Sequence, residues 1–137
     1  HADTVPARAA PAARSPDEGP GGEPQENLLY RDSGYFKRRT PHGQKVFWGR
    51  GNGWVVGGLC RLLETFLQDD ARRARYEELL RKMMGRLVAL QQEDGLWRPS
   101  LLDPLQVPVP ETSVSATRGV VPPNSETEML KPIATAK

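Results

Sequence analysis

The sequence predicts an all-α protein whose ordered part is a helical hairpin between two disordered tails. Two internal segments carry apolar residues at helical spacing, all nine aromatic residues fall between Tyr30 and Trp97, and both ends are rich in proline and small residues. Aromatic side chains supply much of a small core's buried area. Ordered structure is therefore expected in the middle of the 137-residue chain, in a segment near the lower size limit for independent folding.

Residues His1 to Pro24 hold six Ala, five Pro and three Gly, with no apolar side chain larger than Val5. Such a stretch does not offset its ordering entropy by burial and is read as disordered. Leu28, Leu29 and Tyr30, then Tyr35 and Phe36, form two apolar patches around Asp32-Ser33-Gly34, which is turn chemistry. Thr40-Pro41-His42-Gly43 is a second turn, so an extended excursion or short hairpin is expected here.

From Gly53 the period changes. Val55/Val56, Leu59, Leu62/Leu63 and Phe66/Leu67 recur every three to four residues, which predicts an amphipathic helix over Gly53–Gln68. Gly57 and Gly58 each weaken a helix by up to about 1 kcal/mol relative to Ala, so the pair is expected to pack close to a neighbour. A second helix is predicted over Ala71–Gln92, with a stripe of Tyr76, Leu79/Leu80, Met83/Met84, Leu87 and Leu90 opposite a charged face. Asp69 or Asp70 can cap its start, and Gly95 suits a left-handed residue after its end. A short link makes the two an antiparallel hairpin, packed through the Leu59/Leu63 and Leu80/Leu87 faces. Pro104 to Lys137 holds six Pro and no aromatic residue. The predicted regions are 1–27 as a tail, 28–113 as the helical domain, and 114–137 as a second tail.

Several function classes are disfavoured. The net charge of +2 demands no polyanionic partner, and no recognition-helix pattern or zinc-ligand spacing accompanies the basic run from Arg31 to Arg50, so no nucleic-acid partner is expected. No run of 18 apolar residues is present, so no membrane partner is expected. The N-terminal residues lack the apolar centre of a signal peptide, which points to the cytoplasm. Cys60, the single cysteine, lies in an apolar helical run and reads as a buried, inert thiol. No phosphate-binding loop or βαβ fingerprint occurs.

The most informative run is Phe47-Trp48-Gly49-Arg50-Gly51-Asn52-Gly53-Trp54. Glycines alternate with large planar or polar groups immediately before a helix, so the large groups can project together from its N-terminus. Trp48 and Trp54 offer faces for a sugar ring, Arg50 a guanidinium fork for a carboxylate, and Asn52 an amide for hydroxyls. The helix N-terminus adds partial positive charge that favours an anion. The equally weighted bland reading is a glycine loop whose tryptophans plug the core. Around Trp97 and Arg98 the sequence reads as a proline-stiffened connector, with a sugar-binding rim as the alternative.

The runs VFWGRGNGWVVGGLCRLLE, YEELLRKMMGRLVALQQEDGLWRPSLLDP and PETS, preceded by LLYRDSGYF, resemble consecutive landmarks of glycoside hydrolase families 105 and 88, the unsaturated rhamnogalacturonyl hydrolases. The resemblance covers about residues 28–113 and implies part of an (α/α)6 barrel with its site at one mouth. It implies hydrolysis of unsaturated galacturonyl–rhamnose oligosaccharides from pectin, with no metal or organic cofactor. In that mechanism an aspartate hydrates the sugar's C4=C5 double bond, and the hemiketal formed then releases the glycosidic bond. It assigns substrate contacts to Trp48, Arg50 and Trp54, with Asn52 and Trp97 expected at the same mouth. No segment here matches the one that carries the family's catalytic aspartate, so no catalytic residue is assigned. The sequence also departs at Tyr30-Arg31, where some relatives carry a pocket histidine, and after PETS. The rival reading is a non-enzymatic helical-hairpin module whose apolar stripes dock on a partner.

Overall fold

The computed structural model describes residues 22–23, 25–116 and 127–133. Two helices dominate it: α1 (Gly49–Thr65) and α2 (Arg73–Leu90). Both predicted helices are present, and α1 begins four residues earlier than the apolar period suggests. Their buried faces are Val56, Leu59, Cys60 and Leu63 on α1, and Leu79, Leu80, Met83, Met84 and Leu87 on α2, all in one core. The helices pack on each other, and Arg73 from the start of α2 donates to the carbonyls of Leu63 and Phe66 at the end of α1. These bonds satisfy carbonyls that a helix C-terminus otherwise leaves unpaired. Asp70 organises the link rather than capping α2 directly. Its carboxylate accepts from the backbone N–H of Arg72 at 2.9 Å and pairs with the Arg72 guanidinium at 2.7 Å.

Ahead of α1 the chain makes a minimal antiparallel ribbon of β1 (Gly22–Glu23) and β2 (Leu28–Leu29), with Gly22 opposite Leu29 and Glu23 opposite Leu28. The turn at Thr40–Gly43 closes a short excursion, bridged between Arg39 and Lys45. The Thr40 hydroxyl accepts the N–H groups of His42 and Gln44, and Gly43 takes a φ of 82° there. His42 Nδ1 lies 2.8 Å from the buried Asp103 carboxylate, which ties this turn to the connector after α2.

That connector is held along the start of α1. Gly49 N–H donates to Pro99 O, Leu101 N–H donates to Phe47 O, and Trp48 bridges Ser100. A short helix, α3 (Thr112–Ala116), then lies against α1 with Val114 fully buried. This corrects the boundary placed before Val114. Val114 belongs to the core, because α3 seats it on the glycines of α1. The segment 130–133 is likewise docked: Lys131 N–H donates to Gln91 Oε1, and the Gln91 amide donates to Lys131 O and Gly95 O. The backbone of Pro132 lies where a Gly95 Cβ would be. Tail expectations for residues 1–21, 24, 117–126 and 134–137 lie outside the described residues.

The expectation about Gly57 and Gly58 is also corrected. A Cβ at either would meet nothing within 4 Å among the described residues. The close approach occurs at Gly53, where a Cβ would lie 2.8 Å from Val114 Cα. Gly53→Ala is therefore expected to destabilise this chain by about 1–3 kcal/mol through overpacking. Gly57→Ala should instead stabilise it by up to about 1 kcal/mol through helix propensity. Urea denaturation of both variants checks the opposite signs.

Asp70 generates a pH dependence. Its hydrogen bond from the Arg72 side chain, with help from the Arg72 N–H, lowers its carboxyl from an ordinary 3.8 to about 2. The folded value lies below the unfolded one, so the contribution is complete above roughly pH 4 and is lost as pH falls through about 2. Asp70→Asn should reduce the fall in stability across that window relative to the parent, measured by denaturant unfolding at each pH.

Candidate functional site

The first turn of α1 borders an open cleft of about 1130 Å³. Trp48 lines it from just before α1, and Arg50, Gly51, Trp54 and Val55 from α1. Leu29, Tyr30, Arg31 and Tyr35 contribute from the preceding segment, and Pro99, Pro110, Glu111 and Thr112 from the segments after α2. Because α1 begins at Gly49, Arg50 and Trp54 stand one turn apart on the same helical face. Arg50 is 76% exposed at its side chain and Trp54 is 72% exposed. An indole left so open, beside a guanidinium, offers an apolar face to a ring and a fork to an anion.

The same geometry removes Asn52 from the cleft, a correction to its expected substrate role. At about 100° per residue it points to the opposite side of α1 from Arg50. It is 1% exposed, and its amide is fully engaged: Oδ1 accepts from Leu29 N at 2.9 Å, and Nδ2 donates to Leu29 O and Trp48 O at 3.0 Å each. Trp97 is corrected too. It is 1% exposed, its indole N–H donates 2.7 Å to Leu87 O, and its ring is core rather than rim. Its neighbour Arg98 is forked onto Asp94, with the closer contact at 2.8 Å. The Arg98 hydrogen bond holds the Asp94 carboxyl below its ordinary range.

Trp48 is half-buried, with its ring edge against Tyr35 at 6.2 Å between centroids. The Tyr35 hydroxyl accepts from Arg31 at 3.2 Å, and the Trp48 indole lies beside it. These two groups, Arg31 first, hold the phenol below its ordinary range. Arg31 and Arg38 also face the Tyr35 ring, at 5.7 and 4.7 Å from its centroid. Glu111 supplies a carboxylate to the cleft. Its Oε2 accepts from Val114 N at 2.8 Å, which makes it the N-cap of α3, and its Oε1 lies 4.0 Å from Arg50 Nε.

Sequence reasoning missed Arg31, Tyr35 and Glu111. Glu111 had two visible signals, its place in the PETS run and an acidic residue three positions before an apolar one at a short helix start. Arg31 lies where the resemblance places a pocket residue in some relatives, but Tyr35 had no signal, because its place depends on how residues 28–36 return to α1. Among the described residues, no group of three His, Cys, Asp or Glu side chains could hold a metal ion, and no helix is long and apolar enough to cross a membrane.

Comparisons with known proteins agree with this architecture. The family described as Glycosyl Hydrolase Family 88 matches residues 22–118, reaching past both ends of the expected 28–113. An unsaturated 3S-rhamnoglycuronyl hydrolase of Alteromonas sp. (strain LOR) is 45% identical over 86 residues, covering 63% of this chain and 21% of that protein. The unsaturated rhamnogalacturonyl hydrolase YesR of Bacillus subtilis (strain 168) is 30% identical over 82 residues, covering 60% of this chain and 23% of that one. Among solved structures, a glycosyl hydrolase family 88 protein from Bacteroides vulgatus superposes with a TM-score of 0.69 at 31% identity, covering 78% of this chain and 35% of that one. A polysaccharide lyase gives 0.66 at 36% identity, covering 69% and 27%. The chain thus spans about a fifth to a third of the length of these relatives. It is a helical portion of the (α/α)6 barrel architecture.

Asn52→Ala should act on stability. It leaves both half-buried backbone groups of Leu29 without their partner, at up to about 1–3 kcal/mol for each. Thermal unfolding of this variant should show a large loss, and a change confined to ligand binding would contradict the placement.

Proposed function

The chain belongs to glycosyl hydrolase family 88, and from that premise we propose that it carries the uronate-binding wall of an enzyme that hydrolyses unsaturated galacturonyl–rhamnose oligosaccharides. One observation carries the reading: Arg50 and Trp54 stand a turn apart on the exposed face of α1, in a cleft that Trp48 also lines. Arg50 pairs with the sugar's carboxylate, and the α1 N-terminus adds partial positive charge. The tryptophans stack on the unsaturated ring.

The carboxylate in the described cleft is Glu111, engaged as the cap of α3 and facing Arg50. In that place it serves as an acceptor rather than as the acid that protonates the C4=C5 double bond. General acid–base catalysis contributes about 10²–10⁴-fold and requires a group within hydrogen-bond reach of its target. This polypeptide alone is therefore proposed to bind the sugar without turning it over. A second reading changes the neighbouring sugar. Arg31 places another guanidinium in the cleft, and the Alteromonas relative and one of Formosa agariphila, 44% identical, are named for a 3S-rhamnoglycuronyl substrate. In that reading the ligand carries a sulfate as well as the uronate. The non-enzymatic rival, a helical-hairpin module docking through its apolar stripes, loses support because the stripes of α1 and α2 bury each other in one core. Exposed Leu67, Leu105 and Val109 lie outside both helices.

Titration of the unsaturated galacturonyl–rhamnose disaccharide, followed by tryptophan fluorescence, tests the binding. Arg50→Ala should weaken it by about 10–100-fold, from a charge-assisted bond of about 1.5–3 kcal/mol. Unchanged affinity in Arg50→Ala would refute the carboxylate role. Preferential binding of a 3-sulfated analogue, abolished by Arg31→Ala, would select the second reading. No binding of either sugar would favour the interaction module. The ultraviolet absorbance of the double bond should persist with this chain alone, and its rapid loss would overturn the proposal that the chain does not turn the sugar over.

A further inference from the structure

We infer that Glu111 is a positioning residue of the cleft, which orients the Arg50 guanidinium so that its terminal Nη edge faces the anionic ligand. This rests on the reading that Arg50 receives the sugar's carboxylate.

Three of the four polar groups of Glu111 are hydrogen-bonded, and the fourth faces Arg50. The Glu111 backbone N–H donates to Trp97 O at 2.8 Å, and its carbonyl accepts from the Ser115 hydroxyl at 2.8 Å. One carboxylate oxygen caps Val114 N–H, and the other faces Arg50 Nε at 4.0 Å. The side chain is 10% exposed, whereas Arg50 is 76% exposed. The rigid partner is the carboxylate, and the adjustable one is the guanidinium.

Capping alone does not explain this residue. Ser, Thr, Asp and Asn are the preferred caps, and each would satisfy Val114 with a shorter side chain. The extra methylene of Glu places a second oxygen beyond the cap, toward α1. A nearly buried carboxylate also requires compensation by bonds or opposite charge, and Arg50 is the cation that faces it. The contact addresses the Nε edge of the guanidinium. The Nη1/Nη2 edge therefore stays available, and that edge matches a carboxylate with two parallel bonds. A flexible Arg loses side-chain entropy when it engages a ligand, and a fixed counter-charge reduces that loss before binding.

The inference makes a prediction of opposite sign to simple charge counting. Removing a negative charge beside an anion site should strengthen anion binding if only Coulomb repulsion acted. Glu111→Gln keeps an oxygen to accept from Val114 N–H, so α3 stays capped, while the negative charge that faces Arg50 is removed. We expect the unsaturated galacturonyl–rhamnose disaccharide to bind about fivefold or more weakly to Glu111→Gln than to the parent. Equal or tighter binding would overturn the inference. In an Arg50→Ala background the Glu111→Gln effect should vanish, and a persisting loss would assign Glu111 a structural role instead.

A ligand-free measurement separates this idea from the reading beneath it. The Nε–Hε resonance of Arg50 in NMR spectra of the parent should be resolved and shifted, and should collapse toward the exposed-arginine position in Glu111→Gln. An unchanged resonance would refute the inference whatever the sugar does. If the parent binds no sugar but the resonance shifts, the positioning contact stands and the uronate reading fails.

Discussion

The cleft depends on the amide of Asn52. Its oxygen and nitrogen take both backbone groups of Leu29, and the same nitrogen reaches Trp48 O. Residues 28–36 arrive from a two-residue ribbon and two turns, which by themselves do little to fix a surface. Bonded to the first turn of α1, this segment brings Arg31 and Tyr35 beside Trp48 and Arg50. An amide is suited to the task because it donates and accepts at once and so matches a single extended residue. A half-buried Leu29 without that partner would leave a donor and an acceptor unsatisfied by the protein.

A second seam fixes the other side. The pairing of Phe47 and Gly49 with Leu101 and Pro99 runs the connector after α2 across the start of α1, and Trp97 plugs the core beneath it. That course delivers α3 onto Gly49 and Gly53, where the absence of a Cβ leaves room for the Val114 side chain at Gly49 and its backbone at Gly53. Glycines that look like a flexible loop are therefore the seat of a packed helix. Glu111 at the head of α3 is carried to the cleft by that contact. Its opposition to Arg50 is a consequence of how α3 docks.

The cleft is a surface of cations over aromatic rings. Arg31 and Arg38 flank Tyr35, Arg50 stands above Glu111, and Trp54 is open to solvent. Unpaired, so much positive charge would be spread over many rotamers. The hydroxyl of Tyr35 and the carboxylate of Glu111 restrict it to particular places. This arrangement suits the proposed role of holding an anionic ring.

The two long helices and their buried stripes were readable in the sequence, because helical periodicity is a local property and the chain repeats it over four turns in each. The glycine-spaced run pointed to Trp48, Arg50 and Trp54, which the structure gathers along one cleft. Asn52 was misread because apolar periodicity starts at Gly53, whereas α1 starts at Gly49. That shift of a single turn sends residue 52 inward and residues 50 and 54 outward. Trp97 was misread because indole chemistry is the same in a core and on a rim, and only the Leu87 carbonyl decides between them. Val114 lay in the stretch read as a tail, and Glu111 at the edge of the domain, in the PETS run, with no sign of what it would face. Local sequence determines which segments can be helical. Which face is covered, and which charge meets which, depends on contacts between residues some sixty positions apart, such as Arg50 and Glu111, and only the tertiary structure supplies those.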